Sequence, residues 1–421
     1  MGERRHVEVW TAEPGLRPAM RLGHLDIAAA RGKEVFSFCY DDAWLRQPAR
    51  PQLDPALGLY PGPQYPAGER INFGLFLDSC PDRWGRVLMR RREAQLARRE
   101  GRPERRLRES DYLLGVHDGH RMGALRFRVG GVFVDDRREF AAPPWTSLRE
   151  LAAASLALEQ DDAVQAAHYD RWLRMLMAPG SSLGGARPKA SVLDPDGHLW
   201  IAKFPSRQDG IDVGAWEAVV HALAQQAGVQ VPEARVERFG NRHHTFLSRR
   251  FDRVPGGGRV HVASAMTLLD RREGDAAAEG ASYVELAALL IQQGAHTPRD
   301  LAQLWRRMAF FVCVSNTDDH LRNHAFVLEP QGWSLAPAYD MNPNPQGEGL
   351  KLNLSESDNA QDLDLLREVA PYFRLDRAQA ETVLNDVRQA VRGWPEVATR
   401  LGLGRAAQEE MQRAFRLASP R

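Results

Sequence analysis

The sequence predicts an α+β protein with a small strand-rich lobe followed by a larger helical lobe, both preceded by a mixed α/β accessory segment. Three observations carry this. The 421 residues favour two domains, or one large one, each able to bury its own core. Between Ala190 and Phe251, short β-prone runs alternate with turn signals. From Tyr283 onward, apolar residues recur at helical spacing, most strongly in Leu301–Val314. The expected divisions are 1–140, 141–252 and 253–421. The first boundary falls at Ala141-Ala-Pro-Pro-Trp145, whose prolines continue neither a helix nor a ladder.

Taken in order, Val7–Trp10 and Val35–Tyr40 read as strands, with a turn at Gly32-Lys33. The Pro-rich run from Gln47 to Pro66 reads as irregular. Asn72–Asp78 opens a helical pattern expected to continue into the arginine-rich segment Arg83–Arg108, and Ala124–Val134 returns to strand. Leu148–Ala157 reads as a helix. A Gly/Ser-rich loop, Ala178 to Lys189, feeds a hairpin of Ala190–Leu193 and His198–Phe204. Its turn, Asp194-Pro-Asp-Gly197, uses proline to preset φ and glycine to take positive φ. Trp216–Ala227 is an amphipathic helix carrying Glu217. Ala234–Phe239 and Thr245–Phe251 are strands, as are Ala325–Leu328 and Trp333–Ala336.

Composition narrows the function. Lys+Arg is 56 against Asp+Glu 55, so no overall field drives binding to nucleic acid. Only four of the cations are lysines, Lys33, Lys189, Lys203 and Lys351. A GC-rich coding bias accounts for that, yet it singles out sites that need an ammonium. Cys39, Cys80 and Cys313 are scattered and odd in number, which fits free thiols in a reducing cytosol. No apolar run reaches the roughly 20 residues of a membrane span. A cytoplasmic protein with no membrane contact is expected. In Arg83–Arg108, interleaved glutamates favour a solvated helix face over a DNA-docking one. His117, His120, His243 and His244 read as surface-loop residues without a third metal ligand. Trp172, Trp216 and Trp305 read as core or interface aromatics.

The chemistry concentrates in Ser315-Asn-Thr-Asp-Asp-His-Leu-Arg-Asn323. Asp318 and Asn323 have the D-x-x-x-x-N spacing of a kinase catalytic loop, which needs a carboxylate near the attacking hydroxyl and a neutral oxygen ligand for Mg²⁺. Asp319 is one residue too close. Asp340 follows the next hairpin, where a kinase places its second metal-binding carboxylate. Upstream, the glycine loop offers backbone N–H groups for phosphates. Lys203 could pair with those phosphates, and Glu217 could hold Lys203. The order of Gly loop, strand Lys, helix Glu, D-x-x-x-x-N and late Asp is far more specific than any part alone.

With these residues in view, the sequence resembles the HipA family of toxin kinases. The similar stretches are Ser182–Ala190, Ala202-Lys-Phe204, Arg250-Phe-Asp-Arg253, Asn316–Asn323 and Ala336-Pro-Ala-Tyr-Asp340, with Leu77–Trp84 and Met122–Phe127 in the accessory segment. The resemblance implies a two-lobed protein-kinase-like fold and a serine/threonine protein kinase that uses ATP and Mg²⁺. Asp318 would be the catalytic base, and Asn323 and Asp340 would hold metal. Gly184, Gly185, Ala186, Arg187, Pro188 and Lys189 would wrap the phosphates, with Lys203 in contact. Arg249, Arg250 and Phe251 would meet the adenine, while His320, Arg322 and Tyr339 complete the ATP site. Ser182, or its neighbour Ser181, would be the autophosphorylated residue that inactivates the enzyme.

The same resemblance implies a toxin neutralised by a helix-turn-helix, HipB-like antitoxin, with operator DNA bound mainly through that complex. It also implies a protein substrate from the translation machinery, such as an aminoacyl-tRNA synthetase. Arg187, Asp319, Arg322 and Arg249 depart from the family's commoner Gln, Gly, Lys and acidic residue. Two rival readings remain at this point: a small-molecule kinase of the same fold, and a catalytically dead corepressor that binds a DNA-binding partner.

Overall fold

The computed structural model describes residues 4–12, 19–30, 32–48, 50–134, 142–160, 168–177, 187–240, 242–254 and 258–418. Two compact units emerge, one of residues 1–207 with 252–263, the other of 208–251 with 264–421. Both mix helix and sheet, as the sequence predicts.

The first unit is built on an antiparallel sheet in the order β3-β2-β1-β4-β5. Its strands are β1 (Arg4–Thr11), β2 (Met20–Ala30), β3 (Lys33–Tyr40), β4 (Leu125–Val129) and β5 (Val132–Phe133). Alternation sends Val7, Val9, Leu25, Ile27, Phe36, Phe38 and Phe127 to a buried face. Phe76 packs against the rings of Phe38 and Phe127 there. Gly32 turns β2 into β3 at φ +79, a conformation glycine takes without a Cβ penalty.

The expected continuous helix from Asn72 is instead two helices, Gly74–Leu77 and Arg83–Arg99. Pro81 lacks an N–H, and Asp82 restarts the chain as an N-cap, its Oδ1 accepting from Gly85 N at 2.8 Å. Several arginines in and just after this second helix are held within the unit. Arg86 pairs with Glu109, Arg99 with Asp170 and Arg102 with Glu93, while Arg91 donates to Leu158 O at 2.7 Å. His117 and His120 are buried, contrary to the surface reading, because Arg121 draws this loop inward by donating to Ser79 O and Val116 O.

The same unit holds the hairpin of β6 (Lys189–Leu193) and β7 (Leu199–Lys203). Its turn closes as predicted: Gly197 N donates to Asp194 O at 3.0 Å, and Asp194 Oδ1 accepts from His198 N at 2.7 Å.

In the second unit, the Val213–Gln226 helix packs on the hairpin of β8 (Ala234–Glu237) and β9 (Thr245–Arg249). Asp212 caps that helix and also takes His244 Nδ1 at 2.7 Å. The helix Thr297–Val314 is the core element, packed against Tyr283–Gln293 and Arg377–Arg392. Trp305, Met308, Phe310, Phe311 and Val312 are all buried on it. Trp216 is buried in the same unit beside Phe415, which stacks on Trp394 at 4.7 Å. Cys39, Cys80 and Cys313 form no disulfide among the described residues. Among the described residues, no helix is long and apolar enough to cross a membrane.

Candidate active site

In the second unit, the buried Thr297–Val314 helix delivers the chain to the D-x-x-x-x-N loop. It ends on Ser315, held left-handed at φ +51. A non-glycine residue keeps that conformation only when its surroundings enforce it. Here the Ser315 hydroxyl donates to Ala414 O at 2.8 Å and accepts from Arg416 Nη1 at 3.0 Å. The loop then turns on itself. His320 N donates to Asp318 O, Asn323 N to His320 O, and Asn323 Nδ2 to Asp318 O at 3.2 Å. Asp318 is exposed and Asn323 buried.

That last bond fixes the amide of Asn323. Its nitrogen bonds back to the loop's own backbone, and its Oδ1 is buried with no hydrogen-bond partner. An orphaned buried carbonyl oxygen is costly unless something coordinates it. A hard divalent cation such as Mg²⁺ suits that oxygen donor, so the residues fit the metal the sequence implies.

Asp319 lies in the opposite direction. It is buried, with Tyr283 Oη donating to its Oδ2 and His324 Nε2 only 2.6 Å from the same oxygen. Burial, reinforced by this carboxylate, pushes the Tyr283 phenol well above its ordinary pKa, so it remains a donor. The buried Arg307 donates to Ala336 O at 2.6 Å and offsets the Asp319 charge. Burial lowers its guanidinium to about 10, still cationic at neutral pH. Asp319, Tyr283, His324 and Arg307 thus brace the loop from beneath. The sequence reading missed all four. Two adjacent aspartates, of which spacing used only one, were the available signal.

The late aspartate is tied to the same loop. Tyr339 Oη donates to Arg322 O at 2.7 Å, Asn342 N to Asn316 Oδ1 at 3.0 Å, and Asn344 Nδ2 to Thr317 Oγ1 at 2.8 Å. Asp340 sits between these ties at φ +57, a second enforced left-handed residue. Phe251 lies 5.8 Å from the Tyr339 ring, which brings the end of the predicted adenine-contacting stretch to this side. Arg250 is buried, while Arg249 leans on Glu233 at 3.3 Å. Arg322 reaches the exposed Glu273 at 3.3 Å, and His320 is half-buried. Glu217 is buried on the Val213–Gln226 helix.

The segment predicted from sequence to wrap phosphates falls in the first unit. Ser181, Ser182, Gly184, Gly185 and Ala186 lie outside the described residues. At the end of the loop, Arg187 Nη2 donates to Phe204 O at 3.2 Å, and Phe204 N donates to Pro188 O at 2.9 Å. Lys189 and Lys203 are directly opposite in the β6–β7 register. Opposed like charges are unfavourable. Lys189 is buried and paired with Asp82 Oδ2 at 2.8 Å, which removes that conflict, while Lys203 remains half-buried at the end of β7. Asp82, the helix cap, is a further residue that the sequence reading did not single out.

Comparison with known proteins agrees with this architecture. The model of the HipA-like C-terminal domain matches residues 181–394. A Haemophilus influenzae protein named "Putative kinase" is 28% identical over 191 residues, 40% of this chain and 54% of that protein. A Sinorhizobium fredii protein, "Putative kinase Y4dM", is 28% identical over 34% of this chain and 37% of its own length. The chain therefore spans about half or less of these curated relatives. The HipA toxin from the Shewanella oneidensis MR-1 complex of HipA, HipB and operator DNA shares the fold. Its TM-score is 0.64 at 16% identity, covering 98% of this chain and 96% of that one.

Proposed function

Because the chain belongs to the HipA-like C-terminal domain family, we propose that it is an ATP- and Mg²⁺-dependent serine/threonine protein kinase and the toxin of a toxin–antitoxin pair. The observation that carries this reading is the Asp318–Asn323 loop, with its pinned amide, orphaned Oδ1 and tethered Asp340 segment. Asp318 accepts the proton of the attacking substrate hydroxyl as its oxygen bonds to the γ-phosphorus and the bond to the β-phosphate oxygen breaks. Asn323 Oδ1 and the Asp340 carboxylate would hold Mg²⁺, which would supply neutralisation of the phosphate charge. Lys203 contributes an ammonium to the phosphates, with Glu217 as its partner. Gly184 to Lys189 enclose them, and the Arg249–Phe251 backbone meets the adenine beside Tyr339. His320 and Arg322 line the same site. Catalysis rests on positioning and electrostatics rather than on a covalent intermediate.

In the same reading the three divisions 1–140, 141–252 and 253–421 are accessory segment, strand-rich lobe and helical lobe. Autophosphorylation at Ser182 or Ser181 switches the enzyme off. A HipB-like helix-turn-helix antitoxin neutralises it and carries operator DNA, consistent with the complex in which the Shewanella neighbour was solved. The toxin acts in the cytoplasm on a protein of the translation machinery, of the aminoacyl-tRNA synthetase class.

The test is transfer of label from γ-labelled ATP by purified protein, together with growth on expression with and without the antitoxin. Labelled protein bands that vanish with Asp318→Ala and Lys203→Ala but persist with Lys351→Ala support the reading. Equal transfer by wild type and Asp318→Ala would sink the assignment of the base. Turnover of a metabolite without labelled protein would replace the protein substrate with a small molecule.

A further inference from the structure

The outward face of the N-terminal sheet carries side chains that phosphoryl transfer does not use. Register sets His6 opposite Asp26 and Glu8 opposite His24, with Cys39 opposite His24 on β3. Directly paired residues, and those two apart, project on one face. His6 Nδ1 lies 2.9 Å from Asp26 Oδ1, and His24 Nε2 lies 3.8 Å from Asp26 Oδ2. One ligand atom from each of the three residues falls within 4.8 Å of the others. Around a tetrahedral Zn²⁺, with bonds of about 2.0–2.1 Å, ligand atoms stand about 3.4 Å apart. The observed separations bracket that value. The strands already fix the backbone, so rotating the exposed rings suffices.

We propose that His6, His24 and Asp26 form a binding site for a borderline transition-metal ion, represented by Zn²⁺, on the solvent face of this sheet. Two imidazoles and a carboxylate select Zn²⁺, Ni²⁺ or Cu²⁺ over Mg²⁺ and Ca²⁺. Arg4 pairs with Asp26 Oδ2 at 2.8 Å and is the group the ion displaces. Because Arg4 is exposed, that exchange costs little. The ion would clip β1 to β2.

A second cluster, Asp194, Asp196 and His198, is equally close-set but is explained by its turn. There the Asp194 carboxylate already accepts from Asp196 N, His198 N and the Trp200 indole.

The experiment is calorimetric titration of the full chain with Zn²⁺, with Co²⁺ absorption as the spectroscopic probe of coordination. One equivalent is expected, with the intense visible bands of tetrahedral Co²⁺. His24→Ala and Asp26→Asn should each weaken binding more than about tenfold. Unchanged melting of the metal-free variants verifies that they fold. Absence of saturable binding in the wild type would overturn the site. So would unchanged affinity in His24→Ala, or loss of binding on Asp196→Asn or Asp340→Asn instead.

Discussion

The Asp82–Lys189 pair makes a quantitative demand on the first unit. Both side chains are 3% exposed, and the charges meet at 2.8 Å. Asp82 also caps a helix through its other oxygen. Replacing Lys189 with Met keeps the aliphatic stem and leaves a buried carboxylate without this ammonium. Breaking a buried pair costs about 3–5 kcal/mol, and the surviving cap bond puts the expected loss near the lower end, about 3 kcal/mol. Asp82→Ser keeps a capping oxygen but deletes the charge, for a similar loss of about 3 kcal/mol. In the double variant no charge is stranded and the cap persists, so stability should return to within about 1 kcal/mol of wild type. The coupling in the cycle is then about 5 kcal/mol. Urea unfolding of the four proteins at a common slope measures it. A double variant as unstable as the sum of the singles would refute the idea that the pair is self-contained.

Three further outcomes follow from the second unit and one buried histidine. Asp319→Asn should lower the turnover of phosphoryl transfer by about 10²-fold with little change in KM for ATP, because it loosens the loop rather than the nucleotide contacts; steady-state kinetics check this. Asn323→Ala should raise the Mg²⁺ concentration for half-maximal transfer more than about tenfold, read from a Mg²⁺ titration at fixed ATP. Burial lowers the pKa of His261 from 6.5 to about 4. Between those values the unfolded chain binds the extra proton, so stability falls as pH drops through that window. The contribution is intact above 6.5 and gone by about 4, up to about 3 kcal/mol. His261→Gln should remove this component from the pH dependence of the urea midpoint.

Much of the fold was legible because strong local signals agreed with tertiary demand. The Asp194–Gly197 turn, the Leu148 helix and the apolar helix before the D-x-x-x-x-N loop all form close to where the pattern puts them. Strand β2 was not read. Its buried residues Leu22, Leu25 and Ile27 are interrupted by Gly23, His24 and Asp26, and an alanine tail dilutes the alternation. Its polar positions make sense only once β1 and β3 flank it. The D-x-x-x-x-N loop was legible because its chemistry lies within nine consecutive residues. The brace under it was not, since Tyr283 and Arg307 approach Asp319 only through helix packing. Asp82 was opaque for the same reason: 107 residues separate it from Lys189.

The Ser315 hydroxyl, held by Ala414 and Arg416, has a consequence for synthesis. The two ends of that bond are 99 residues apart in the chain. During translation, the helix before Ser315 emerges and can pack long before its left-handed end has its partners. The loop bearing Asp318 therefore lacks this part of its support until residues 414–416 leave the ribosome. Nascent chains stalled before that point would carry the whole D-x-x-x-x-N loop with the end of its preceding helix still unanchored. Under the proposed growth-arresting activity, this timing would keep incomplete products harmless.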